Sequence, residues 1–187
     1  MSIPRELSHI IGDAVWEKDT IGCSDSSIYR LKGIAGGGNA YLKAQRKTHI
    51  DDLKREKDIL NWLQDRLPVP EVLYFDELDE IEYLLMTEIP GLNCAHEGFR
   101  RDPEEPVKTL AKDLRMIHDL DISECPFNRN LDIALNEALQ RVEAGLVDED
   151  DLRPENMGRK GRDIYEELVR TRPLEWVYRL GPSGSGR

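Results

Sequence analysis

Residues 40–44 read AYLKA, and residues 51–70 read DDLKREKDILNWLQDRLPVP. The first segment alternates apolar and polar side chains, a pattern that predicts a β-strand. In the second, three leucines recur at helical spacing, two aspartates suit the first turn and two prolines follow, so a helix is predicted over 50–67. A strand followed by an amphipathic helix is therefore the starting point for interpreting the rest of the chain.

One charged pair links this strand to this helix. Glu56 lies on the apolar face of the predicted helix, because it is three residues after Leu53 and four before Leu60. A carboxylate directed towards a core needs a cation or strong hydrogen-bond donors, and Lys43 on the preceding strand is a candidate partner. Kinase-like folds use such a strand lysine and helix glutamate to hold nucleotide phosphates. Spacing alone leaves open a plainer interpretation, in which both side chains extend into solvent.

The flanking segments extend the pattern of strands and helices. Residues 28–31 alternate in the same way, and GIAGGGN at 33–39 favours a hairpin to the lysine-bearing strand, since Gly and Asn tolerate positive φ. Residues 72–75 and 83–86 predict two more strands, separated by acidic residues 76–82. Helices are then predicted over 107–117, 131–147 and 163–170, with an acidic loop at 148–156.

Composition restricts the class of protein. With 187 residues, 39% of them hydrophobic and 34% charged, the chain has enough apolar side chains for a packed interior in one domain or two small lobes. The net charge of −11 argues against a nucleic-acid partner and fits a cationic one, although most acidic surfaces are simply solvated. Three widely spaced cysteines, no membrane-length apolar run and no signal-like start predict a cytoplasmic protein without a membrane partner.

Three further segments suit a ligand but have plainer explanations. The small residues GCSDSS at 22–27 could cover phosphates, yet they are neither GxGxxG nor a Walker A loop, and a polar turn explains them more simply. MTEIPG at 86–91 follows the fourth predicted strand, where a two-lobed kinase binds adenine through backbone groups, but a strand and a Pro-Gly turn explain it equally well. The acidic loop suits a polycation, although a solvated charged segment is the more common explanation.

Five segments, taken in order, resemble one family. They are AYLKA (40–44), LKREKDILNWLQDRLPVPEVLYF (53–75), YLLMTEIPG (83–91), IHDLDISECPFNRNLD (117–132) and, more weakly, DIYEEL (163–168). Together they resemble the aminoglycoside 3′-phosphotransferases, which are bacterial antibiotic-resistance kinases with a protein-kinase-like fold. The resemblance covers roughly residues 5 to 173 and implies an α+β fold. In that fold, a small antiparallel lobe with one helix precedes a helical lobe that is incomplete in this chain.

The resemblance implies transfer of the ATP γ-phosphate to the 3′-hydroxyl of an aminoglycoside, with ATP and Mg²⁺ as cofactors. Lys43 resembles the lysine on the α- and β-phosphates, and Glu56 resembles its ion-pair partner. Tyr41 resembles the ring that stacks on adenine, and Ser24 falls in the phosphate loop. The other implied nucleotide residues follow the fourth strand: Met86, which lines the pocket, and Thr87 and Ile89, which offer backbone groups to adenine.

The acidic loop falls where the family gathers carboxylates against the ammonium groups of the antibiotic. Asp150, Asp151 and Glu155 are the implied substrate residues. An aminoglycoside of the kanamycin or neomycin type and ATP are the implied partners.

The sequence departs from the family after Pro173. There the family continues into HGDxxxxN, whose Asp positions the substrate hydroxyl, and later into an IDxGR metal-ligand segment, and neither occurs in this chain. Codons exist for 175–187 that, read one base later, encode SGFIDLGRLGVA, so a deletion with a frameshift is a hypothesis for this tail.

We expect a nucleotide-binding lobe at 1–90, a partial helical lobe at 91–173 and an off-family, disordered tail at 174–187. Without the catalytic Asp and both metal ligands, we expect no turnover by the chain as written. A pseudokinase-like nucleotide-binding remnant and an unstable fragment are the alternatives.

Overall fold

The structure, a computed structural model, describes residues 3–20, 26–48, 52–92, 96–100 and 104–172. These residues form a five-stranded antiparallel sheet, five α-helices and two short 3₁₀ helices. The strands are β1 (Val15–Asp19), β2 (Ser27–Lys32), β3 (Asn39–Arg46), β4 (Val72–Leu78) and β5 (Ile81–Thr87). The helices are α1 (Arg5–Ile11), α2 (Leu53–Leu63), α3 (Glu104–His118), α4 (Leu131–Glu143) and α5 (Gly161–Arg170). The 3₁₀ helices are Glu97–Arg100 and Pro154–Asn156.

The sheet is buried on both faces near its centre. Its order is β1-β2-β3-β5-β4, and each neighbouring pair is antiparallel. Leu42 and Leu85 pack with α1 in one apolar cluster, whereas Leu84 and Met86 pack with α2 in a second cluster. Successive side chains of a strand point to opposite faces. β5 therefore needs apolar side chains at consecutive positions, which explains its run YLLM at 83–86.

The four predicted strands are present as β2 to β5, and each is longer than the pattern predicted. The acidic residues between the last two are not a loop, because the strands continue through them to a two-residue turn at Asp79 and Glu80. Both turn residues have positive φ, 52° and 62°. This conformation is typical of tight hairpins whose twist matches the flanking strands. Cross-strand pairing therefore decides the structure here, despite the polar composition.

The described contacts divide the chain into two compact units, 1–127 and 128–187. The first unit contains the sheet with α1, α2 and α3, and the second contains α4 and α5. The lobe boundary expected near residue 90 stays a prediction, and the tail expected at 174–187 lies outside the described residues. In the described ranges, no helix is both long and apolar enough to cross a membrane.

Candidate nucleotide site

An ion pair joins the middle of the sheet to α2. The Nζ atom of Lys43 lies 2.6 Å from Oε1 and 2.9 Å from Oε2 of Glu56. Lys43 lies on β3 between the buried residues Leu42 and Ala44, so its side chain points to the opposite face of the sheet from theirs. The two side chains of the pair are 26% and 35% exposed, so the pair lies at the margin of the core and is open to solvent. The structure contains this ion pair, whereas its contact with phosphates stays a prediction.

Two carboxylates hold the N-terminus of α2, close to Glu56 in its first turn. Asp52 is the N-cap, and its Oδ1 accepts a hydrogen bond from the backbone N–H of Arg55 at 2.6 Å. Glu82 reaches across from β5, and its Oε2 accepts from the backbone N–H of Leu53 at 2.7 Å. Glu82 is only 1% exposed, so this N–H and the positive end of the helix stabilise a buried carboxylate. α2 is therefore anchored to the sheet that carries the lysine.

Tyr41 and Met86 lie beside the ion pair. They are directly opposite each other in the register of β3 and β5, and both belong to the apolar cluster around Leu53 of α2. Tyr41 is two residues from Lys43 on one strand, so both side chains are on the α2 face. The structure thus brings Tyr41, Lys43, Glu56 and Met86 together. An aromatic ring, an apolar side chain and a paired cation suit a ligand with a flat base and anionic phosphates.

Thr87 and Ile89, the two residues predicted to offer backbone groups to adenine, differ in whether their N–H groups are already bonded. The N–H of Thr87 already donates to the carbonyl of Glu71 at 2.9 Å, and its Oγ1 accepts from the N–H of Glu71, also at 2.9 Å. Ile89 is 51% exposed, and its N–H has no hydrogen-bond partner among the described residues. Ile89 can therefore donate to a ligand, whereas Thr87 cannot donate its N–H without breaking a bond. Ser24 lies outside the described residues.

In the second unit, the acidic segment is tied to the start of α5 by Glu149. Its carboxylate accepts from Nζ of Lys160 at 2.6 Å and from the backbone N–H of Gly161 at 3.0 Å. The hydrogen bond from Lys160, and then that from Gly161, hold the pKa of Glu149 below its usual value. The three carboxylates implied for the antibiotic stay predictions, and all of them are exposed: Asp150, Asp151 and Glu155.

A cavity of about 350 Å³ lies between the end of α4 and the start of α5. Its charged lining groups pair with each other, Glu149 with Lys160 and Glu143 with Arg162, so they neutralise one another. Within the ranges that the structure describes, no group of three or more His, Cys, Asp and Glu side chains is arranged to hold a metal ion.

The sequence prediction missed Glu82, although a signal for it was present. Glu82, Leu84 and Met86 alternate on β5, so the carboxylate occupies a position on the apolar face of its strand. This is the same signal, a charge at an apolar position, that identified Glu56. The signal was overlooked because residues 76–82 were interpreted as a connection rather than as strand.

Known proteins similar to this chain include aminoglycoside 3′-phosphotransferases of several bacteria. The chain matches the model of the phosphotransferase enzyme family over residues 21–179. An aminoglycoside 3′-phosphotransferase of Enterococcus faecalis is 34% identical in an alignment of 181 positions that covers 94% of this chain and 68% of that protein. One of Staphylococcus aureus is 33% identical over 100% of this chain and 73% of its own length.

Solved structures show the same similarity. An aminoglycoside-3′-phosphotransferase of type VIII superposes with a TM-score of 0.77 and 30% identity, over 88% of this chain and 60% of that one. An aminoglycoside phosphotransferase of Streptomyces rimosus, solved with ADP and streptomycin, superposes with a TM-score of 0.66 and 26% identity, also over 88% of this chain and 60% of that one. An ethanolamine kinase of Plasmodium vivax shares only the fold, at 13% identity and a TM-score of 0.52.

The chain belongs to the phosphotransferase enzyme family and, within it, to the aminoglycoside 3′-phosphotransferases. Its fold is α+β and protein-kinase-like. It spans 68% and 73% of the lengths of the Enterococcus faecalis and Staphylococcus aureus relatives, and 60% of the two solved aminoglycoside phosphotransferases.

Proposed function

We propose that this chain supplies the ATP-binding part of a kinase that phosphorylates the 3′-hydroxyl of aminoglycoside antibiotics and so confers resistance. The observation that carries the proposal is the ion pair of Lys43 and Glu56 on the face of the sheet that also bears Tyr41 and Met86. Family membership supports the reaction, and the ADP bound to the Streptomyces rimosus relative supports the nucleotide. The cysteine pattern supports a cytoplasmic location.

Each residue of the proposed site has a distinct part in holding ATP. Lys43 donates to the α- and β-phosphates, and Glu56 fixes the direction of the ammonium group. Tyr41 stacks on adenine, Met86 supplies apolar contact, and the N–H of Ile89 donates to the edge of the base. Ser24, in the segment before β2, contacts the phosphates through its hydroxyl and N–H groups. Bound Mg²⁺ would neutralise phosphate charge, and the segments that supply its ligands in the family have no counterpart in this sequence.

The acidic segment of the second unit is the proposed antibiotic-binding part. Asp150, Asp151 and Glu155 present carboxylates to solvent, and aminoglycosides carry several ammonium groups. We infer an aminoglycoside of the kanamycin or neomycin type, because the curated relatives are 3′-phosphotransferases. Thr87 takes no part in antibiotic binding. It contacts adenine through its backbone carbonyl, because its N–H is already bonded to Glu71.

A second function, nucleotide binding without phosphoryl transfer, is favoured by one observation. The sequence contains the lysine and the glutamate but no His-Gly-Asp, which supplies the group that orients the substrate hydroxyl in the family. We propose a division into a nucleotide lobe at 1–90, a partial helical lobe at 91–173 and a tail at 174–187. Measurable transfer of phosphate from ATP to kanamycin by this chain alone would contradict this second function.

Nucleotide binding is tested by thermal unfolding with and without ADP. We expect ADP at 100 times its Kd to stabilise the wild-type chain by about 2.7 kcal/mol, because it binds only the folded state. The variant Lys43→Met should lose most of this shift. Lys47→Met is the matched control, because Lys47 pairs with Glu77 at 2.6 Å just beyond the end of the same strand but is half exposed. Equal ADP shifts in both variants would refute the proposed site, and no shift in the wild type would indicate a chain without nucleotide function.

A further inference from the structure

Glu88, the first residue after β5, is held at three points. Its Oε1 accepts from Nη2 of Arg30 on β2 at 2.8 Å, and its Oε2 accepts from Nδ2 of Asn39 on β3 at 2.7 Å. Its backbone N–H donates to the carbonyl of Asn39 at 3.1 Å. The Glu88 side chain is only 17% exposed, so these bonds are shielded from water more than surface ion pairs are.

These contacts lie next to the proposed adenine site. Arg30 is directly opposite Tyr41 in the register of β2 and β3, so the two side chains share a face of the sheet. Asn39 is two residues before Tyr41 on β3 and lies on that face too. The row on β3 therefore runs Asn39, Tyr41, Lys43, with a bonded carboxylate at each end: Glu88 at one and Glu56 at the other.

The backbone that Glu88 holds is the one that would donate to adenine. Thr87 precedes Glu88, and its N–H and its Oγ1 are both bonded to the backbone of Glu71. Ile89 follows Glu88, and its N–H has no acceptor among the described residues. Because Glu88 is fixed, the backbone N–H of Ile89, the next residue, has a defined position before the nucleotide binds. A donor that is already oriented loses less entropy on binding than one on a mobile segment.

We propose that Arg30, Glu88 and Asn39 form a clamp that positions the segment 87–89 for the adenine base, so that they are positioning residues for nucleotide binding. This inference rests on the proposed function. The Nε–H of Arg30 is buried and has no hydrogen-bond partner in the described part of the chain. A buried donor without a partner costs free energy, and functional sites are where native structures tolerate that cost, so this observation fits the proposed role. Arg30 also lies 3.7 Å from Glu17 on β1, which keeps the guanidinium in place.

The test measures ADP affinity and backbone protection in the full chain. We expect Arg30→Met and Glu88→Ala each to weaken ADP binding about 5- to 20-fold, as expected for loss of an oriented donor. The double variant should bind no more weakly than the weaker single variant, because both changes break one unit. Arg30→Lys should recover part of the loss. Arg46→Met is the matched control, because Arg46 pairs with Glu80 at 3.1 Å on the same sheet and is largely exposed.

Amide hydrogen exchange measured without nucleotide tests whether the clamp holds the backbone of residues 87–89, independently of ADP binding. Arg30→Met should speed exchange at the N–H of Glu88 while leaving the amides of α2 unchanged. A lower melting temperature with ADP affinity within twofold of the wild type would show a merely structural ion pair and overturn this inference alone. Failure of the wild-type chain to bind ADP would overturn the proposed function, and the clamp with it.

Discussion

At the scale of single residues, charged side chains at apolar positions mark the site. Glu56 on α2 and Glu82 on β5 both occupy positions whose neighbours pack in the core, and both are bonded to donors. Burying a carboxylate is costly unless such donors compensate, so each one implies a specific partner. The same reasoning applies to Glu88, which continues the alternation of β5 beyond its end.

Glu149 should give the second unit an acid-sensitive stability. Its pKa in the folded chain is lowered from 4.5 by Lys160 and by the N–H of Gly161. A group whose pKa is lower in the folded state stabilises that state above its unfolded pKa, and the contribution falls as the pH drops through the lowered value. The stability difference between the wild type and Glu149→Gln should therefore be constant above about pH 5 and vanish in stronger acid.

Urea unfolding followed from pH 7 to pH 3 measures this difference. Glu166→Gln is the control for the loss of one negative charge, because Glu166 is an exposed carboxylate on α5. A Glu149→Gln difference that grew towards acid pH would contradict the bond to Lys160.

At the scale of elements, periodicity located most helices and strands, but not their ends. The sequence predicted the helix of Glu56 to reach residue 67, and α2 ends at Leu63 because Gln64 leaves helical geometry and Asp65 has φ of 64°. Likewise α4 ends at Glu143 rather than 147, before Gly145 with φ of 68°. Such ends depend on single backbone angles, which apolar spacing does not report.

Among the α-helices and strands of the described residues, the sequence predicted neither α1 nor β1. α1 has seven residues and buries only Leu7 and Ile11, too few positions for a periodic signal. β1 is an edge strand with no fully buried residue, so its sequence does not alternate. Both elements are fixed by tertiary contacts: α1 packs with residues of β3 and β5, and β1 pairs with β2. The Lys43–Glu56 pair, in contrast, was predictable because both residues lie in strongly patterned elements.

The anchor of α2 should be measurable as stability. Glu82→Leu removes the acceptor for the buried N–H of Leu53, which should cost about 1–3 kcal/mol in free energy of unfolding. Glu82→Gln keeps an acceptor and should cost less. Glu77→Gln is the control, because it alters a partly exposed ion pair with Lys47 that is worth about 0–1 kcal/mol. Urea unfolding of the three variants measures these differences in free energy of unfolding. Equal destabilisation of all three variants would show that the buried hydrogen bond of Glu82 does not anchor α2.

At the scale of the whole molecule, the described nucleotide residues belong to one unit. Tyr41, Lys43, Glu56, Met86, Thr87, Ile89 and the clamp all lie within 1–127. The exposed carboxylates proposed for the antibiotic lie within 128–187. Nucleotide binding and antibiotic binding are therefore expected to respond to different sets of substitutions.

A substitution confined to the second unit should leave ADP binding intact. A Cβ atom at the buried Gly161 would lie 3.2 Å from Cγ1 of Val147, so Gly161→Val overpacks the contact between α5 and the preceding segment. We expect a loss of about 1–3 kcal/mol, seen as faster amide exchange in α4 and α5. Glu166→Val is the control, because it adds the same side chain at an exposed position of α5. The ADP affinity of Gly161→Val should stay within twofold of the wild type, since none of the described residues proposed to hold the nucleotide lies in this unit. A parallel loss of ADP affinity and α5 protection would instead place part of the nucleotide site in residues 128–172.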